Sequence, residues 1–156
     1  MGLNICEFVE TDAKSICGWR YESPYDIYNY PNWETIIQQK WGMADETKRK
    51  TEFYTIKNDN GLLGFFRLVK YDSFVMLGLG IKPEMCGCGL GEQVMSCIKK
   101  VFSERYPNDL LCLEVRSFNM RAIKCYGKAG FIIKDKYFKK TPKDSAEFVL
   151  MELLYD

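Results

Sequence analysis

The stretch Cys86-Gly87-Cys88-Gly89-Leu90-Gly91 lies between two segments of different periodicity, and its placement decides the fold. Ahead of it, Phe74 to Ile81 is an apolar run closed by Pro83, the pattern of a strand. Behind it, Leu90, Val94, Cys97, Ile98, Val101 and Phe102 recur at helical spacing, which marks one face of a helix ending near Arg105. A helix start leaves its first N–H groups without intrahelical partners and carries about half a positive charge. Glycines at that mouth let an anion approach the main chain closely. Alternating glycines between strand and helix therefore point to a pyrophosphate cradle, although a plain tight turn would use glycine as well. On the loop alone both alternatives stay open.

The spacing excludes two common phosphate loops. A dinucleotide fold requires G-x-G-x-x-G, and Glu92 stands at its last glycine. A nucleoside triphosphate loop ends in Gly-Lys-Ser/Thr, which is missing. Both of those folds also open with a parallel strand pair, whereas the strand feeding this loop follows a hairpin. Thr51 to Lys57 and Leu62 to Tyr71 flank Asn58-Asp59-Asn60-Gly61, where Asn-Gly between apolar runs signals a hairpin turn. Asp72-Ser73 allows a further tight turn into Phe74 to Ile81, completing an antiparallel meander.

Further from the loop, Asn4 to Val9 alternates like a short strand, and Thr11 offers an N-cap for a helix to about Trp19. Tyr21 to Pro31 reads as an ordered loop rich in tyrosine. Asn32 can cap a second helix through Trp33, Ile36, Ile37, Lys40 and Trp41, ended by Gly42. Asp45 to Lys50 reads as a solvated charged connection. On the C-terminal side, Leu110 to Val115 is a buried strand and Asn119 opens a helix stopped by Gly130. Phe131 to Phe138 and Glu147 to Leu154 close the chain as an antiparallel pair. The strand-helix-strand unit from Phe74 to Val115 makes those two strands parallel neighbours in an otherwise antiparallel sheet.

Composition narrows the chemistry. The chain of 156 residues is 47% hydrophobic and 15% aromatic, which excludes disorder. Its length predicts one domain spanning residues 1–156. With 22 basic and 21 acidic residues the net charge is +1, so nothing hints at a nucleic-acid partner. No apolar run suffices to span a membrane, and the N-terminus lacks the features of a signal peptide, so the expected location is cytoplasmic. Histidine is absent, which removes Ser-His-Asp and Cys-His nucleophiles, His-ligated zinc and histidine bases. The 7 cysteines (6, 17, 86, 88, 97, 112 and 125) form no C-x-x-C pair and read as small, mostly buried thiols in a reducing compartment. Cys86-Gly87-Cys88 lacks the second ligand pair a structural zinc needs, so no metal is expected.

The loop Cys86 to Gly91 resembles the Q/R-x-x-G-x-G/A pyrophosphate motif of the GNAT superfamily of acyl-CoA N-acyltransferases. Leu113-Glu114-Val115-Arg116, followed by Asn119, Ala122, Ile123, Tyr126, Gly130 and Phe131, resembles the second half of that signature. It is most similar to the ribosomal-protein-alanine acetyltransferase branch. The resemblance implies an α/β (α+β) fold: a mixed, mostly antiparallel sheet of about seven strands, a central parallel pair and about four flanking helices. It implies acetyl-CoA as cosubstrate, coenzyme A as product, no metal, and a small amine or a peptide or protein amine as acceptor. It leaves a homodimer open.

Residue by residue, the resemblance places the main-chain groups of Leu79 and Ile81 against the pantetheine arm, one of their amides polarising the thioester carbonyl. It places the amides of Cys86, Gly87, Cys88, Gly89, Leu90 and Gly91 around the pyrophosphate, and Asn119 near the pantetheine. Tyr126 would protonate the departing thiolate, and Glu114 takes the place of the branch's general base. The chemistry is independently sensible: an alkyl amine is mostly protonated near neutral pH and must lose a proton before it attacks. Tyr126 follows Asn119 by two helical turns, so both would project from one face.

Each residue has a plainer alternative. Tyr126 could be a core tyrosine, Asn119 an N-cap, and Glu114 an ion-pair partner of Arg116 or Lys124. Two departures from the family pattern matter. Cys86 stands where the family has Arg or Gln, removing one side-chain contact to phosphate, and Phe74 to Ile81 carries no acidic residue. The second throws the base role onto Glu114 or ordered water. Trp19, Tyr25 and Tyr28 could wall an acceptor pocket or pack the helices on the sheet. Besides an acetyltransferase, the residues allow an acyl-CoA sensor without turnover; a nucleotide-binding interaction domain is disfavoured by the loop spacing.

Overall fold

The computed structural model describes residues 2–87 and 89–154, so Cys88 lies outside the described residues. The strands are β1 (Asn4–Glu7), β2 (Phe53–Asn58), β3 (Gly61–Lys70), β4 (Phe74–Ile81), β5 (Leu110–Arg116), β6 (Phe131–Lys140) and β7 (Ser145–Leu153). The helices are α1 (Glu10–Cys17), α2 (Trp33–Gln38), α3 (Glu46–Thr51), α4 (Gly91–Arg105) and α5 (Met120–Lys128). They build a mixed sheet in the order β1-β2-β3-β4-β5-β7-β6, with β4 and β5 parallel and the other described pairs antiparallel. No helix among the described residues is long and apolar enough to cross a membrane.

Two compact units emerge. The first comprises Met1–Arg67 with Leu79–Leu90. Its core gathers Phe8, Ala13, Ile16, Cys17, Trp19, Ile36, Met43, Phe53 and Phe65. Phe65 is the hub: its ring lies 5.9 Å from Phe8, 6.3 Å from Trp19, 6.4 Å from Tyr30 and 6.5 Å from Phe53. Offset and edge contacts of this kind add modestly to the larger effect of burying the rings. Gly80 belongs to the same packing, since a Cβ there would sit 2.4 Å from the Phe65 ring.

The second unit comprises Leu68–Gly78 with Gly91–Asp156. Val94, Met95, Ile98 and Phe102 of α4 are buried, as are Leu111, Leu113 and Val115 of β5 and Val149 and Met151 of β7. The parallel ladder runs from Phe74↔Leu110 to Leu77↔Leu113 and, among the described residues, ends there although β5 continues. Glu114 is the first residue beyond it.

Several local expectations are corrected. Asp45 to Lys50 is not a bare connection: it contains most of α3, one of five helices among the described residues. The Asp45 side chain accepts the Lys48 N–H at 3.0 Å, and Arg49, which looked like one charge among many, is buried with Nη1 donating to the Met43 carbonyl at 2.9 Å. The N-cap of α1 is Val9 rather than Thr11, its N–H held by the Asp12 carboxylate at 3.0 Å. Asn32 does cap α2, accepting the Thr35 N–H at 2.9 Å, but the helix stops at Gln38 as Lys40 turns to φ 56°. In the hairpin, Asn58 pairs with Gly61, so Asp59-Asn60 form the turn centre and Gly61 opens β3. Of the six described cysteines only Cys17 and Cys112 are buried, and none forms a disulfide among the described residues.

Candidate active site

In the first unit the glycine loop follows a short 3₁₀ turn, Pro83–Met85. Gly87 and Gly89 both hold φ 78°, a left-handed conformation that glycine alone adopts without strain. Among the described residues, no main-chain acceptor meets the N–H of Gly87, Gly89 or Leu90. Main-chain N–H groups left without a main-chain acceptor are the kind of donors an anion can use. The Cys86 amide differs from expectation: it donates to the Pro83 carbonyl at 3.2 Å, closing the turn, so it is already engaged. The Cys86 thiol lies 3.7 Å from the carbonyls of Ile81 and Lys82, and the place assigned to Cys88 lies outside the described residues.

Tyr21, which the sequence reading passed over as one tyrosine of a loop, is tied to this segment. Its hydroxyl donates to the Ile81 carbonyl at 2.6 Å, and its own N–H donates to Asn29 Oδ1 at 2.7 Å. Burial, reinforced by the neighbouring Cys86, Tyr30 and Glu84, holds the Tyr21 phenol well above its ordinary acidity range. One lone pair of the Ile81 carbonyl is thereby occupied by the protein itself. Lys82 donates its N–H to the Leu63 carbonyl at 2.8 Å, which further fixes the end of β4. Leu79 is half-buried on the same stretch.

The expected acceptor residues also fall in this unit. Trp19 is 8% exposed and packs in the aromatic core, so it does not wall an open pocket. Tyr25 and Tyr28 form the ends of a 3₁₀ turn, both half-buried.

In the second unit, Gly91 begins α4, and a Cβ there would meet Cys125 Sγ of α5 at 2.9 Å. A side chain at this position would press on the Cys125 thiol. Asn119 is the N-cap of α5, accepting the Ala122 N–H at 3.1 Å, and is itself buried. Tyr126 is half-buried, its ring edge-on to Phe131 at 6.0 Å. Because Asn119 sits outside the helix proper, the shared face expected of it and Tyr126 is not a regular helical one.

Glu114 is placed by register. Opposed residues of paired strands share a face of the sheet. Arg116 faces Phe148, which faces Tyr137, while Glu114 faces Leu150, which faces Asp135 across a bulge in β6. Glu114, Arg116, Phe148, Tyr137 and Lys139 consequently project from one side. Tyr137 donates its hydroxyl to Glu114 Oε2 at 2.5 Å, and Lys139 Nζ meets Oε1 at 2.6 Å. Burial first, then the bond to Glu114, keeps the Tyr137 phenol protonated well beyond its usual range. The expected partners Arg116 and Lys124 are not the ones: Arg116 grips Asp144 through both terminal nitrogens at 3.1 Å. Tyr137 and Lys139 were missed because pairing across an intervening strand leaves no mark in local sequence; only the alternation within β6 hinted at their common face.

Among the described residues, no group of three or more His, Cys, Asp or Glu is placed to hold a metal ion. The first unit offers main-chain donors for an anion, and the second a carboxylate, Glu114, held by two donors.

The chain matches the Acetyltransferase (GNAT) family over residues 13–131. No curated protein matches it. Among solved structures it is similar to an acetyltransferase of the GNAT family from Bacillus anthracis, at 14% identity and TM-score 0.77, covering 99% of this chain and 95% of that one. It is similar to the spermidine/spermine N-acetyltransferase from Vibrio cholerae, at 14% identity and TM-score 0.73, covering 97% and 92%. It is also similar to the ribosomal-protein alanine N-acetyltransferase from Escherichia coli, at 18% identity and TM-score 0.69, covering 97% and 92%. At such identities these likenesses speak for the fold. The family match, however, runs from α1 to the first residue of β6 and takes in both the glycine loop and the Leu113-to-Phe131 segment, and on that ground the protein belongs to the GNAT family of acetyltransferases.

Proposed function

We propose that this acetyltransferase moves the acetyl group of acetyl-CoA to a primary amine by direct attack while both substrates are bound. The observation that carries the proposal is the left-handed pair Gly87 and Gly89, whose amides meet no main-chain acceptor among the described residues. Those amides, with Leu90 and Gly91, are the donors offered to the diphosphate; Leu79 and Ile81 offer main-chain groups to the pantetheine arm. Glu114, directly or through a water, takes the ammonium proton, and Tyr126 gives a proton to the leaving thiolate. Asn119 is offered to the pantetheine alongside its role as a cap. Tyr25 and Tyr28 are the remaining aromatic residues proposed for the acceptor.

The direct test incubates the chain with acetyl-CoA and a panel of primary amines, including polyamines and peptides with N-terminal alanine, and follows acetylated product by mass. Transfer to at least one amine is expected, and Tyr126→Phe should lower its rate at least about tenfold while coenzyme A still binds. An unchanged rate would remove Tyr126 from the mechanism. A sensor without turnover is favoured by Cys86 in the loop, by the absence of an acidic residue in β4 and by the partners that both oxygens of Glu114 already have. Binding of acetyl-CoA with no product from any amine would select that reading.

A further inference from the structure

Lys139 stands in an unusual place for a lysine on an outer strand. Its Nζ is 2.6 Å from Glu114 Oε1 and lies over the Phe148 ring, 4.9 Å from the centroid. A carboxylate on one side and an aromatic face on another are the groups that recognise an ammonium. The cage is built rather than incidental. Glu114 is oriented by the Tyr137 hydroxyl on its other oxygen, Phe148 is 9% exposed, and Arg116, also over that ring at 5.1 Å, is fixed by Asp144. The Lys139 side chain nonetheless keeps 43% of its surface open, so a reagent can reach it.

Resting on the proposed role of Glu114, the acceptor ammonium must lie against that carboxylate before it loses its proton. That position is occupied here by the chain's own lysine. We propose that Lys139 is an internal acceptor: the protein acetylates its own Lys139 ε-amino group from bound acetyl-CoA. The ammonium passes one proton to Glu114, and the freed lone pair forms a C–N bond with the thioester carbon. The C–S bond then breaks, with its electron pair leaving on sulfur. Tyr126 protonates that thiolate and recovers a proton from the second N–H lost by the new amide nitrogen. The products are N-acetyl-lysine, coenzyme A and one proton released through Glu114. Acetylation removes the positive charge, so Glu114 and Phe148 lose their internal cation and an outside amine can take its place.

The test is intact-mass and peptide-level mass spectrometry of the purified chain incubated with acetyl-CoA, beside a heat-denatured sample and a reaction containing the amine panel. One acetyl group is expected at Lys139, at a rate independent of protein concentration and at least about tenfold above that of any other lysine. Lys139→Arg should abolish that label and Glu114→Gln should slow it. Transfer to an outside amine with Lys139 unlabelled, or labelled no faster than in the denatured sample, overturns the inference and leaves the proposed function standing. Labelling of neither Lys139 nor any outside amine overturns both.

Discussion

Replacing Gly89 with alanine probes the proposed phosphate loop at a left-handed glycine. Gly89 holds φ 78° and a Cβ built there finds nothing within 4 Å, so the substitution introduces torsional strain without a clash. Left-handed backbone costs a residue with a side chain about 1–2 kcal/mol. If the loop keeps its shape, the folded state loses about that much; if the loop relaxes, the amide turns away from the diphosphate and a charge-assisted hydrogen bond of about 1.5–3 kcal/mol goes with it. Either way the conformation that holds coenzyme A becomes less favourable by about 1–2 kcal/mol, a rise of roughly 5- to 30-fold in Kd where relaxation takes up the strain. Titration calorimetry with coenzyme A, paired with urea denaturation of the unliganded chain, separates the two routes. Gly89→Asn should lose less than Gly89→Ala, since asparagine tolerates this region better. Gly61→Ala supplies the control: Gly61 has φ 112° with equal space around it, but lies in the β2–β3 hairpin, so stability should fall with affinity unchanged. Wild-type affinity and wild-type stability together in Gly89→Ala would refute the reasoning.

Other expectations concern the groups that hold the site. Tyr21→Phe removes the donor to the Ile81 carbonyl and should cost about 0.5–1.5 kcal/mol of stability, read from the urea midpoint; no change would mean that water replaces it freely. Gly91→Ala should destabilise by about 1–3 kcal/mol through contact with Cys125 Sγ, and Cys125→Ala should restore part of that loss in a double-mutant cycle. Alkaline pH should weaken the fold. Burial, with Cys17 nearby, pushes the Tyr30 phenol up to about 12, and Tyr21 and Tyr137 are displaced the same way. A folded-state value above the unfolded one means the contribution is complete below about pH 10 and is lost as pH rises towards the folded value, at most about 2–3 kcal/mol for Tyr30. Urea midpoints between about pH 8 and pH 11 should fall, and less steeply in Tyr30→Phe.

What the sequence disclosed follows from the range of each interaction. Periodicity is local, so the bounds of β4 could be read to the residue and the end of α4 closely, and the parallel β4–β5 pair followed from one crossover. The glycine loop was legible because left-handed backbone demands a particular residue type. Caps fared less well: Asn32 and Asn119 were visible, but Val9 has no side-chain acceptor, and the Asp12 bond that fixes α1 arises only once the turn exists. Helix α3 was hidden because its residues are charged or polar and its one buried side chain is an arginine. The surroundings of Glu114 were least legible of all. Its partners Tyr137 and Lys139 lie two strands away, brought over by the β5–β7–β6 order and a bulge between Ile133 and Asp135. Tyr21, 60 residues from Ile81, escaped for the same reason.

The central claim is that the amides of Gly87, Gly89, Leu90 and Gly91 take the diphosphate of acetyl-CoA. Amide resonances of the isotope-labelled protein, followed while coenzyme A is added, report on it directly. The account predicts saturable shifts at Gly87, Gly89, Leu90 and Gly91, larger than at the Gly61 hairpin and abolished when dephosphorylated pantetheine replaces coenzyme A. Saturation by coenzyme A with those four resonances unmoved would contradict it.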